Sequence, residues 1–118
     1  MGRSSDALLD ALEKHKDRLE LLDLQDCKLS GSQLEKITGT LKESFGELRS
    51  LNLSFNPAKE KGGSFLTNLC SMITKRSKLN HLNLSNMALD FDACSNVMTA
   101  VSKSESLCGL HMSGNQLS

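Results

Sequence analysis

The sequence predicts an α/β fold: a right-handed solenoid carrying a parallel β-sheet on its concave face and helices on its convex face. Three observations lead there. An apolar pattern recurs four times along the 118 residues, at intervals of about 30 residues. Within each copy, apolar and polar residues alternate, which is the period of a half-buried strand. Between copies, apolar residues return at helical spacing.

Taken in order, residues 6–16 read as a leading amphipathic helix, with Leu8, Leu9, Leu12 and His15 on its apolar side. Repeats then begin near Leu19 (LELLDLQDCKL), Leu48 (LRSLNLSFNPA), Leu79 (LNHLNLSNMAL) and Leu107 (LCGLHMSGNQL). Leu22 and Leu24 flank Asp23, Leu51 and Leu53 flank Asn52, Leu82 and Leu84 flank Asn83, and Leu110 and Met112 flank His111. One short strand per repeat, each followed by a long connection, can pair only in parallel. The connections predict helices. Leu34, Ile37, Leu41 and Phe45 share a face behind a cap at Ser32, with Glu35 three residues on. Phe65, Leu69, Met72 and Ile73 follow Ser64, and Ala93, Cys94, Val97, Ala100 and Val101 follow a cap at Asp92. Such units stack on one another around a continuous core.

The ninth position of the pattern calls for a side chain that satisfies backbone groups where the chain leaves the strand. Cys27, Asn56 and Asn115 suit it. Met87 does not, so the third turn is predicted to be irregular, or else Asn86 supplies the bond from a shifted backbone. Residues 1–118 read as a single domain that stops after the fourth strand without a polar capping helix. That reads as a piece of a longer solenoid, or as a chain that associates with itself through its open end. The stretch 57–64 reads as a tolerated insertion. Cys27, Cys70, Cys94 and Cys108 are too far apart for a CxxC pair. They are expected to be reduced thiols, mostly inside the core, in a cytoplasmic protein.

The four segments fit L-x-x-L-x-L-x-x-N/C-x-L and resemble the leucine-rich repeat family; their long spacing resembles its ribonuclease-inhibitor-like class. That class includes ribonuclease inhibitors, GTPase-activating proteins for Ran, innate immune receptors, and the CARMIL and tropomodulin groups of actin regulators. The LNLS of the second repeat, followed by a Lys/Gly-containing turn, further resembles the CARMIL group. Such a resemblance implies the fold and a protein-binding role without naming the partner.

Composition narrows the function. Fourteen Lys and Arg balance fourteen Asp and Glu, so no excess of positive charge invites nucleic acid or an anionic membrane. Trp and Tyr are absent, which leaves few platforms for stacking bases or sugars. No G-x-S-x-G elbow occurs, and Gly62-Gly63 lacks the Lys-Ser/Thr of a phosphate loop. His81 and His111, with Cys108 nearby, are staggered along their strands and fall short of a zinc set. The reading is therefore no enzyme, no metal and no cofactor.

What remains is the row of strand positions facing away from the helices. The protein-binding set expected on this concave face is Glu20, Leu21, Asp23, Asp26, Arg49, Asn52, Phe55, His81, Asn83 and His111. Leu21 and Phe55 are apolar where polar residues would be cheaper, the pattern of interface anchors ringed by polar groups. The function expected is a scaffold or interaction module for a protein partner. The alternatives are a structural spacer in a larger protein, or a GTPase-activating regulator. Lys28, Lys59 and Lys61, rather than an Arg, occupy the inter-repeat turns, which argues against the last.

Overall fold

A computed structural model describes residues 2–57, 64–75 and 78–115, with side chains from Ala7 onward. Along the chain run α1 (Gly2–Lys14), β1 (Leu21–Asp23), α2 (Gly31–Ser44), β2 (Ser50–Asn52), α3 (Phe65–Lys75), β3 (His81–Asn83), α4 (Phe91–Lys103) and β4 (Gly109–His111). The strands form one parallel sheet in the order β1-β2-β3-β4. α2 packs against α3 and α3 against α4, while α1 rests on α2.

The alternation around each strand's central leucine decides which face is buried. Leu22, Leu51, Leu82 and Leu110 lie in one cross-strand row. Leu51 and Leu82 are fully buried, whereas Leu22 and Leu110, on the outermost strands, are half-buried. The predicted helix faces meet this row: Leu34, Ile37, Leu41, Phe45, Phe65, Leu69, Met72, Ile73 and Val97 are closed to solvent. One core cluster runs from Leu12 to Ala100, as expected of stacked units that cannot bury their apolar faces alone.

Helix starts differ from the sequence expectation. α1 begins at Gly2 and ends at Lys14, not 6–16, and His15 is exposed rather than apolar-facing. α2 is capped by Ser30, not Ser32: the Ser30 hydroxyl accepts from Gln33 N, and the Gln33 side chain accepts from Ser30 N. Both pairs obey the capping-box spacing, and the earlier one wins because Gly31 then packs inside the buried face. Glu35 caps a different helix: its carboxylate accepts from Ser64 N at 3.0 Å, at the head of α3, where negative charge is favoured. α4 is capped by Asp90, whose carboxylate accepts from Ala93 N, and Asp92 falls in the first turn.

The third turn is regular, contrary to expectation, and the reason is a ladder with a two-repeat period. Asn56 is fully buried. Its Oδ1 accepts from Cys27 N and Leu29 N, and its Nδ2 donates to the carbonyls of Leu24, Leu53 and Ser54. Asn115 does the same one step on, accepting from Met87 N and Leu89 N and donating to Leu84 O and Met112 O. Each asparagine therefore laces the turn of the preceding repeat. Asp26 and Lys28 at the first turn, and Asn86 and Ala88 at the third, share left-handed backbone. At the second turn Pro57 stands where Lys28 and Ala88 stand, and its ring forbids positive φ. Met87 needs no amide; it fills the core.

The cysteines also depart from expectation. Only Cys94 is buried; Cys70 is half-buried, and Cys27 and Cys108 are exposed, all four as free thiols. Among the described residues no helix is long and apolar enough to cross a membrane. Most of the 57–64 insertion and the last three residues lie outside the described residues.

Candidate functional site

Two rows of side chains project from the face of the sheet opposite the helices. One runs Leu21, Ser50, His81, Gly109; the other runs Asp23, Asn52, Asn83, His111. The sheet thus brings Leu21, Asp23, Asn52, His81, Asn83 and His111 together. Glu20 and Arg49 flank these rows and pair with each other at 3.4 Å, both exposed, an interaction of little energetic weight. Asp26 and Phe55 lie past the strand ends, in the turns. Ser54 and Ser85, two residues beyond Asn52 and Asn83, are buried.

The second row has a repeated local structure. Asp23 Oδ1 accepts from Gln25 N, Asn52 Oδ1 from Ser54 N, and Asn83 Oδ1 from Ser85 N, each at 3.0 Å. These are Asx turns, in which the side-chain oxygen imitates a backbone carbonyl. The consequence is chemical orientation. In Asn52 and Asn83 the acceptor end is consumed by the chain itself and the Nδ2 donor end is turned away from it. Asn52 spends that donor on Gln25 Oε1 at 3.0 Å; Asn83 Nδ2 has no partner among the described residues.

The first row contains a gap that another residue fills. A Cβ at Gly109 would lie 2.5 Å from Cδ2 and 2.7 Å from Nε2 of His81. The His81 ring therefore lies across β4, in space that any side chain at 109 would claim. Its Nδ1 is 3.3 Å from Asn80 Oδ1, an arrangement that makes Nδ1 the protonated nitrogen of the neutral ring. His81 and His111 line a common depression of about 180 Å³ together with Ser50, Asn52 and Asn83. The staggering of the histidines in sequence concealed this, because it is the missing side chain at Gly109 that lets His81 lean across. No group of three or more metal-binding side chains occurs among the described residues.

Phe55 is one of five non-glycine residues with positive φ among the described residues, with Asp26, Lys28, Asn86 and Ala88. It is 47% exposed and has a φ of 60°, a region bulky side chains seldom enter. The same position in the other repeats holds Asp26, Asn86 and Gly114, residue types that tolerate it. Leu21 is 64% exposed. A second concavity, of about 440 Å³, lies between α3 and α4 and is lined by Thr67, Cys70, Ser71, Asn96 and Thr99 among others. Sequence reading gave no hint of it. Burial there pushes the Cys70 thiol up from its ordinary range, and burial together with the Asp90 charge does the same to Cys94.

No family model matches the chain. Among solved structures it is similar to the tropomodulin C-terminal domain of Caenorhabditis elegans, with a TM-score of 0.78 at 12% sequence identity. The likeness covers 94% of this chain and 65% of the other, so the chain spans under two thirds of that domain's length. At such identity the likeness establishes the fold: α/β, with a parallel sheet of leucine-rich-repeat type.

Proposed function

We propose that this chain is a non-catalytic protein-binding module, a single leucine-rich repeat solenoid whose partner docks on the concave face of the sheet. Phe55 carries the reading. An aromatic side chain kept half exposed in a strained backbone region costs about 1–3 kcal/mol. The other repeats avoid that cost with Asp, Asn or Gly at the same position. Lys28 and Ala88 carry left-handed backbone too, but at Phe55 it is combined with a large apolar side chain left half exposed, and it is that combination that points to use. Leu21 adds a second apolar anchor, and the polar rows around it form the rim that interfaces display. The mechanism is rigid presentation: sheet pairing and Asx turns hold the side chains before binding, so little ordering entropy is lost on association.

The partner class to test first is actin. The family resemblance includes two groups of actin regulators, and the similar solved domain bears the name of one of them. The test compares the parent chain with an Asp23→Arg/Phe55→Ala variant, checked for fold by circular dichroism, in co-sedimentation with actin and in capture from cell lysate. A partner retained by the parent and weakened at least tenfold by the variant supports the reading. Equal retention by both, with both folded, overturns it in favour of a structural spacer.

A further inference from the structure

We propose that copies of this chain join head to tail, each junction building one complete repeat from a strand of one copy and a helix of the next. The contact lies at the ends of the solenoid and uses neither Asp23 nor Phe55. In the fold each strand is followed by a helix: β1 by α2, β2 by α3 and β3 by α4. Among the described residues two members are left single. β4 has no helix after it, and α1 has no strand before it. β1 and β4 are also the outer strands of the sheet, each with one edge outside the ladder. The two ends therefore lack opposite halves of the same unit. Placing α1 of one copy behind β4 of another completes that unit. It also sets β1 of the incoming copy beside β4, in the parallel pairing that every interior strand uses.

The helix surfaces lead to the same contact residue by residue. Each helix packs an i,i+4 apolar pair into the core: Leu8/Leu12, Ile37/Leu41, Leu69/Ile73 and Val97/Val101. The residue after the first member faces the next helix, and the residue before it faces the preceding one. Thr38 Oγ1 accepts from Asn68 Nδ2 at 3.4 Å, which joins α2 to α3. Cys70 Sγ donates to Asn96 O at 3.7 Å, which joins α3 to α4. Continued outward, the series leaves two residues without a counterpart: Met98 on α4 and Ala7 on α1. Asn96, Thr99 and Lys103 line the groove toward α3. At about 100° per residue, Met98 and Phe91 point to the other side of the helix. They are 52% and 56% exposed, an apolar patch beside a free strand edge. Ala7 is exposed, as is Ala11 one turn on. The interior pairs are hydrogen-bonded; this one sets a long, adaptable apolar side chain against a small one. Because the two surfaces differ, the contact is heterologous, and each added copy leaves one head and one tail open.

Blocking either end separately tests the junction. Met98→Glu blocks the tail, and Ala7→Glu/Ala11→Glu blocks the head. Both should keep the parent's circular dichroism, because these positions are exposed and Glu is a good helix former. Association of the full chain is followed by sedimentation velocity from about 5 to 500 µM, with interference optics because Trp and Tyr are absent. The parent should grow past the dimer as concentration rises. Each variant alone should associate at least about tenfold more weakly, since a carboxylate then enters an apolar contact. Mixed in equal amounts, the two variants should form a dimer and nothing larger, because one keeps a working head and the other a working tail. A parent that stays monomeric throughout overturns the proposal and leaves the ends to a further repeat or an unlike partner. A parent that stops at the dimer, with the Ala7→Glu/Ala11→Glu variant dimerising unhindered, overturns it in favour of two β4 edges meeting. Variants that associate as the parent does, or a mixture that stays monomeric, overturn it as well.

Discussion

Asn56 and Phe55 are neighbours in the chain and pull stability in opposite directions. The Asn56 side chain satisfies two backbone donors and three carbonyls from a buried position. A buried polar group left unpaired costs about 1–3 kcal/mol. Asn56→Ala should therefore lower the unfolding free energy by at least about 3 kcal/mol, read by urea denaturation followed by circular dichroism. Asn52→Ala, which removes a half-buried Asx turn and the contact to Gln25, should cost under about 1 kcal/mol. A similar loss in both would mean that the ladder does not hold the turns. Phe55→Asn should do the reverse and raise stability by about 1 kcal/mol, because Asn accepts the left-handed backbone that Phe resists. The same substitution should weaken partner binding. Asn56 was legible in the sequence as a structural residue, since its position in the repeat demanded one. The strain at Phe55 was not, because a φ angle depends on how the turn closes.

The helix starts put a sharp question to local sequence reasoning. Two serines near α2 and two aspartates near α4 are two residues apart; capping-box spacing fits both serines and neither aspartate, and the later of each pair is the cap expected from the sequence. The structure uses Ser30 and Asp90. Ser30→Ala and Asp90→Ala should each cost about 1 kcal/mol, whereas Ser32→Ala and Asp92→Ala should each stay within about 0.5 kcal/mol. Thermal unfolding of the four variants checks the order, and a reversal would return the caps to the later residues. Periodicity located these helices because it samples many residues at once. A start depends on one hydrogen bond, and the decision falls to how Gly31 and Leu89 pack beneath it. Glu35 is the clearest case: its charge belongs to the head of a helix 29 positions further on, which no local pattern displays.

At the scale of the molecule, every strand's inner leucine belongs to one row and one core. Leu53 is fully buried within it. Leu53→Asp places a carboxylate there with no partner, and because each repeat is stable only against its neighbours, the loss should not stay local. The variant should lose its helical circular dichroism signal as a whole at 25 °C. Retention of a cooperative transition near the parent's would show that the strand register is misread. The likeness at 12% identity follows from the same economy. The fold asks for apolar residues at a few positions of each repeat, which many different sequences can supply.

By itself, the chain's repeating pattern determined the strand positions, the parallel order, the helix faces and the side of the sheet left exposed. All of these follow from periodicities of two and 3.6 residues that survive in any window of the sequence. Tertiary structure decided what that exposed side can do. The alternating lacing by Asn56 and Asn115, the burial of Met87, the reach of Glu35 to α3 and the lean of His81 over Gly109 each join residues from different repeats. Such pairings depend on which side chain is missing or spare across a strand boundary. That is a property of neighbours in space, and the chain brings them together only when its repeats stack.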